Sequence, residues 1–272
     1  MLDSLLEQLA RDPSADVDLA AVALYLAADE YPDLDVSAYL DRLADLADRA
    51  RPYLGGGLEE CVKGLCRFLF DEEGFAGNTD HYYDPRNSYL NEVMDRRLGI
   101  PITLSVLAMA VGRQVELNIV GVGLPGHFIA KAVRDGEEVL FDPFHGGDFL
   151  TPDGCEELVT AVTGRQFPMT PELLAATPPG LIVVRMLNNL RSIYVQQEDF
   201  ARVARILGRL RQLSPHDETL RRDLGAAFLR SGKPGPAIDH LKAYLEAAPE
   251  AGDADEVRAL LGRALADVAR WN

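Results

Sequence analysis

Cysteine is scarce: Cys61, Cys66 and Cys155 are the only three in 272 residues. So few thiols exclude a disulfide framework. Long apolar runs are missing too, and none approaches the ~20 residues that cross a bilayer. The opening stretch, MLDSLLEQLARD, has no basic start and no long apolar segment, so no secretory leader is expected. Positive charge is in short supply, with 27 Lys plus Arg against 43 Asp plus Glu and a net charge of −16. A surface that negative repels phosphate, which argues against nucleic acid as a partner. What is present is ordinary for a globular chain, 47% apolar and 26% charged residues. That is enough apolar surface to offset chain entropy, so disorder throughout is excluded. A cytoplasmic protein without membrane contact is the simplest expectation.

The missing positive charge is not missing everywhere. Residues 1–60 carry 4 basic and 14 acidic side chains, and residues 61–183 carry 9 and 17. Residues 184–272 carry 14 and 12, so the last third is close to neutral. The shift falls beside Thr177-Pro178-Pro179-Gly180, a run of helix breakers. Two domains are expected, residues 1–180 and 181–272.

Leucines and alanines recur at three and four residues through positions 1–53, broken at Asp12-Pro13-Ser14 and Tyr31-Pro32-Asp33. This spacing predicts three short amphipathic helices with acidic outer faces. After Gly55-Gly56-Gly57, the positions Leu58, Val62, Leu65 and Leu69 predict a fourth helix, with Cys61 and Cys66 on or beside its apolar stripe. Ser88 stands where it would cap the next helix, which carries Leu90, Val93 and Met94. Pro101 suits the first turn of the helix after that. Ile102, Leu104, Val106, Leu107, Met109 and Val111 make that helix apolar on most sides, the mark of a buried central helix.

Strand-like segments follow at 117–123, 127–133 and 138–142, with Asp135-Gly136 as a hairpin turn between the last two. Antiparallel strands after a buried helix indicate an α+β domain. Gly121, Gly123 and Gly126 formally spell GxGxxG, but the run leads into another strand and not into a helix that would receive phosphate.

Pro215 and Pro249 are 34 residues apart, the tetratricopeptide period. The same shift pairs Leu190 with Leu224, Tyr194 with Phe228, Val203 with Ala237, Leu207 with Leu241 and Leu210 with Tyr244. Gly225 and Ala237 supply small residues where paired helices approach closely. Two helical hairpins, about 184–215 and 218–249, and a last helix at 254–270 are expected. Such units bury their apolar faces only by stacking on neighbours.

Several segments taken together resemble one family. They are FLFDEEGF at 68–75, YDPRNSYL at 83–90, RRLGIPI at 96–102, VGLPGHF at 122–128 and DPFHGG at 142–147. This set is similar to the bacterial SirB-type family, whose members join a transglutaminase-like core to tetratricopeptide repeats. The resemblance implies a mostly helical α+β fold: a papain-like core with a small antiparallel sheet, followed by helical hairpins. It also implies a Cys-His-Asp triad, in which a thiolate attacks an amide, an imidazole shuttles the proton and a carboxylate orients the imidazole. His127 matches the family histidine and Asp142 the aspartate. The cysteine position falls at or beside Pro101, and no cysteine lies between Cys66 and Cys155.

The nucleophile is thus missing where the family would need it. Thr103 and Ser105 offer hydroxyls nearby, but polar residues in a buried first turn commonly satisfy backbone groups instead. His127 and Asp142 are the candidate remnant of the triad, and His145 follows closely enough to face the same cleft. Asp84, Arg86 and Asn87 form a polar loop that either lines that cleft or caps a turn. Ser105 is a further cleft candidate. His81, Asp84, His127, Asp142 and His145 lack the tight spacing of a zinc motif, so no metal and no cofactor is expected. The functional expectation is a non-catalytic interaction or regulatory protein that binds a protein or peptide through its helical repeat. The alternative is an amide or ester hydrolase or transferase that uses His127 and Asp142 with an unorthodox nucleophile. No oligomeric state follows from the sequence.

Overall fold

The computed structural model describes residues 1–270. As expected from sequence, it is mostly helical with a small antiparallel sheet. The chain divides into two compact units. The first comprises residues 1–2 and 14–186, the second residues 3–13 and 187–272.

The three N-terminal helices are present as α1 (Leu2–Arg11), α2 (Leu19–Ala28) and α3 (Val36–Ala50). Two of their features depart from expectation. Helix α2 buries seven of its ten residues and so has little outer face. Helix α1 was expected in the first domain, but residues 3–13 group with the second unit, where Asp3 Oδ1 accepts from Arg209 Nη1 at 2.6 Å and Gln212 Nε2 at 3.1 Å.

In the first unit α4 (Leu58–Cys66) continues into a wider turn over Arg67–Glu72, closed by Glu73 N donating to Phe68 O at 2.8 Å. Strand β1 (Ala76–Gly77) then pairs in parallel with β2 (Leu98–Gly99). Between them lie a tight turn over Pro85–Ser88 and α5 (Leu90–Arg96). Ser88 does not cap α5. It belongs to that turn, and Tyr89 stands at the cap without a side-chain bond.

Helix α6 (Pro101–Gln114) starts at a proline, which donates no N–H and fits the first helical position. Eleven of its 14 residues are buried, so it is the central helix that its composition predicts. Strands β3 (Ile119–Leu124), β4 (His127–Arg134), β5 (Glu137–Asp142) and β6 (Asp148–Leu150) form one antiparallel meander in that order. Asp135 and Gly136 both adopt positive φ, at 51° and 85°, as the tight hairpin between β4 and β5 requires. Helix α7 (Pro152–Thr163) covers Val122, Leu124 and Ile129 with Cys155 and Val159. The GxGxxG glycines serve the sheet. A Cβ on Gly121 would stand 2.6 Å from the Phe128 ring, and Gly126 makes the turn into β4 at φ 72°.

The remaining helices are α8 (Pro179–Gln196), α9 (Phe200–Leu213), α10 (Thr219–Arg230), α11 (Pro234–Ala247) and α12 (Ala254–Ala269). The second unit takes up the chain inside α8, at Leu187. Of the ten residues paired by the 34-residue shift, all but Phe228 are buried. Gly225 is needed for the close packing of α10 on α11, because a Cβ there would meet the Leu241 side chain at 2.6 Å. No helix among the described residues is long and apolar enough to cross a membrane.

Candidate functional site

Strand register brings His127 and Asp142 together. In the β4–β5 ladder Ala130 faces Phe141, so one step further Asp142 lies opposite Ile129. His127 is two residues along β4 on the same face, a diagonal neighbour within reach of long side chains. His127 Nε2 and Asp142 Oδ2 are 2.8 Å apart, and both residues are buried.

A second imidazole meets the same oxygen. His145 Nδ1 lies 2.7 Å from Asp142 Oδ2. The turn Pro143–His145 makes this possible. Asp142 Oδ1 accepts from Phe144 N at 2.9 Å, and Gly146 and Gly147 then take positive φ. Gly147 N returns to Asp142 O at 2.8 Å, which curls the turn back over the carboxylate. The two rings stack with centroids 5.8 Å apart and an interplanar angle of 23°. Phe144 stands edge-on to both, and Tyr82 stands edge-on to Phe144. The bonds from both imidazoles outweigh the cost of burial and hold the Asp142 carboxyl below the usual carboxylate range. It is therefore an anion that accepts from three donors.

Close backbone approaches lock this corner. A Cβ on Gly77 in β1 would meet Phe144 O at 2.6 Å, and one on Gly147 would meet Cys66 Sγ at 2.5 Å. Sequence reasoning missed Arg185. Its half-buried guanidinium donates to the carbonyls of His127 and Leu124 and lies over the Phe128 ring. The available signal was a single arginine inside the apolar run Leu181–Met186.

The start of α6 is a different environment. Helix α6 opens on Pro101, at or beside which the family resemblance would put a thiol. Thr103 Oγ1 accepts from Ile100 N at 3.1 Å and donates to Asn87 O at 2.8 Å, with Ile100 O at 3.1 Å. This is the reach-back half of a capping box. Ser105 is fully buried and donates to Pro101 O at 2.8 Å, so it lines no cleft. Neither hydroxyl bonds to His127. Among the described residues Asp142 is the only hydrogen-bond partner of the His127 ring.

The thiols are equally committed. Burial pushes Cys66 up to about 12, with help from the Asp71 and Asp148 charges. Burial and the Asp142 charge push Cys155 up to about 11. Cys61 Sγ lies 3.7 Å from both terminal nitrogens of Arg134.

The polar loop is a capping device. Asp84 accepts from Arg86 N at 3.0 Å and from the Arg86 guanidinium, which holds its carboxyl below the usual range. Asn87 is buried, donates to His81 O and Tyr82 O, and accepts from Asn78 Nδ2. Asp84, Arg86 and Asn87 thus hold the loop that carries Tyr82. His81 is exposed and stands outside the His127–Asp142–His145 cluster.

Comparison with known proteins matches residues 37–188 to the transglutaminase-like superfamily and residues 190–262 to the tetratricopeptide repeat. A UPF0162 protein of Xylella fastidiosa is 36% identical over 95% of this chain and 94% of its own length. UPF0162 protein PA3419 of Pseudomonas aeruginosa is 31% identical over 70% of this chain and 68% of its own. F-box only protein 21 of Mus musculus is 32% identical over 46% of this chain and 20% of its own.

Proposed function

Since the chain belongs to the transglutaminase-like superfamily, within the UPF0162 group and with tetratricopeptide repeats behind the core, we propose that it is a non-catalytic protein-interaction or regulatory protein of the SirB type, acting in the cytoplasm. The start of α6 carries this reading. The family resemblance puts the nucleophile at or beside Pro101, where this chain has no cysteine, and both neighbouring hydroxyls are bonded to backbone carbonyls. A hydroxyl is a weak nucleophile unless a base is aligned on it, and His127 is bonded to neither.

The binding surface is the helical repeat. A groove of about 400 Å³ is lined by Val195, Phe200, Val203 and Leu207, with Arg191, Arg230 and Asp223 beside them. Val195 is exposed, and Arg230 lies over the Phe200 ring at 3.5 Å. An apolar floor edged by two arginines and one carboxylate suits a peptide that carries apolar anchors and polar flanks.

The competing reading is an amide or ester hydrolase or transferase, favoured by the retained His127–Asp142 bond. One assay separates the two. Full-length protein is incubated with a glutaminyl peptide and a primary amine, and ammonia release and amine incorporation are measured. The non-catalytic reading expects rates at the buffer background, the same for His127→Ala. Turnover by the native chain that disappears in His127→Ala would establish the enzyme instead.

A further inference from the structure

An imidazole–carboxylate relay needs one imidazole for its carboxylate. Here one oxygen, Asp142 Oδ2, serves two. The second is not forced there by burial, because the His145 side chain is 47% exposed. The donor atoms of all three residues lie within 4.8 Å of one another. We propose that His127, Asp142 and His145 form a binding site for one divalent first-row transition metal of the zinc class.

The donor set selects the class. Two imidazole nitrogens and one carboxylate oxygen suit zinc or iron(II), whereas calcium and magnesium call for oxygen ligands. Bonds of ~2.0–2.1 Å would set tetrahedral ligand atoms about 3.3 Å apart. The two nitrogen–oxygen separations are 2.8 and 2.7 Å, so the side chains must open by about half an ångström. Exposed His145, on its short turn, is free to make that movement. Each ring then presents a lone pair at the nitrogen that now donates, and its proton passes to the other ring nitrogen. No net proton is released. Asp142 keeps its orientation through Oδ1, which Phe144 N holds at 2.9 Å. Two of the three ligands are buried and pre-positioned, and the third opens to solvent. Three protein ligands leave a coordination position on the His145 side for water or for a donor from a partner.

The test uses full-length protein stripped with a chelator and dialysed. It is titrated with zinc sulfate in a calorimeter and with cobalt(II) followed by visible absorption. One ion per chain is expected, with d–d bands that report nitrogen ligation. His145→Ala should weaken zinc at least tenfold and remove the cobalt bands while the circular dichroism spectrum stays native. Asp142→Asn should weaken it similarly. His216→Ala, at an exposed histidine outside the cluster, should bind as the native chain does. Absence of saturable uptake near one ion per chain would overturn the proposal, and so would native affinity in His145→Ala.

Discussion

The start of α6 and the corner where β5 turns into Pro143–His145 would be the two halves of one active site in a thiol enzyme. They treat their polar side chains in opposite ways. At the start of α6, Thr103 and Ser105 bond to the backbone of their own helix turn and of Asn87, and both are buried. At the corner, His127, Asp142 and His145 bond to one another, and one of them reaches solvent. Groups tied to backbone hold a fold. Groups tied to each other, with an outlet to water, can still meet a ligand. The difference teaches that the polar groups of the corner are bonded to one another and can still meet a ligand, whereas those at the start of α6 are spent on the backbone.

The comparison is most exposed to attack at Asp142. Replacement by Ala leaves the buried His127 ring and Phe144 N without their acceptor, and His145 without its own at the solvent edge. Each buried donor left unsatisfied costs about 1–3 kcal/mol, and two are stranded at once. A urea unfolding series should show that loss, and Asp142→Asn should recover part of it by keeping an acceptor. A cost below about 1 kcal/mol, the range of surface ion pairs, would mean that the corner is not held by its carboxylate.

Thr103→Val comes next. The substitution keeps the shape but leaves Ile100 N and Asn87 O unpartnered by the side chain in a buried turn. An unsatisfied buried group costs about 1–3 kcal/mol, and the same urea series should place Thr103→Val in that range. A neutral result would remove the architectural role assigned to the start of α6.

How much of this was legible in the sequence depended on how local each feature is. The β4–β5 hairpin was, because Asp135-Gly136 sets its own turn and the turn sets the register. That register alone carries His127 to Asp142. The tetratricopeptide hairpins were legible because their period repeats the same contacts. His145 was expected near His127 and Asp142, but its bond to the same carboxylate oxygen was not. That bond depends on the curl enforced by Gly146, Gly147 and Cys66, which comes from another helix. Spacing alone argued against a metal at His127, Asp142 and His145, because the three are spread across a strand start, a strand end and a turn. The parallel pair of β1 and β2 is two residues long and leaves no period to read. Arg185 contacts carbonyls about 60 positions away, which no local pattern encodes.

The smallest expected effect is the sharpest test of the contrast. Ser105 Oγ donates only to Pro101 O, the carbonyl one helical turn back. A helix carbonyl loses little when such a bond goes, because its second lone pair still faces the helical N–H and the missing hydroxyl takes its own desolvation cost with it. Ser105→Ala should therefore change unfolding stability by about 1 kcal/mol or less. It should also leave the ammonia-release background untouched. A hydroxyl nucleophile would instead give turnover in the native chain that Ser105→Ala abolishes, with equally little change in stability. Measuring both on the same preparation decides whether α6 begins with a structural turn or with a reactive one, because only a catalytic Ser105 lets the two readouts part.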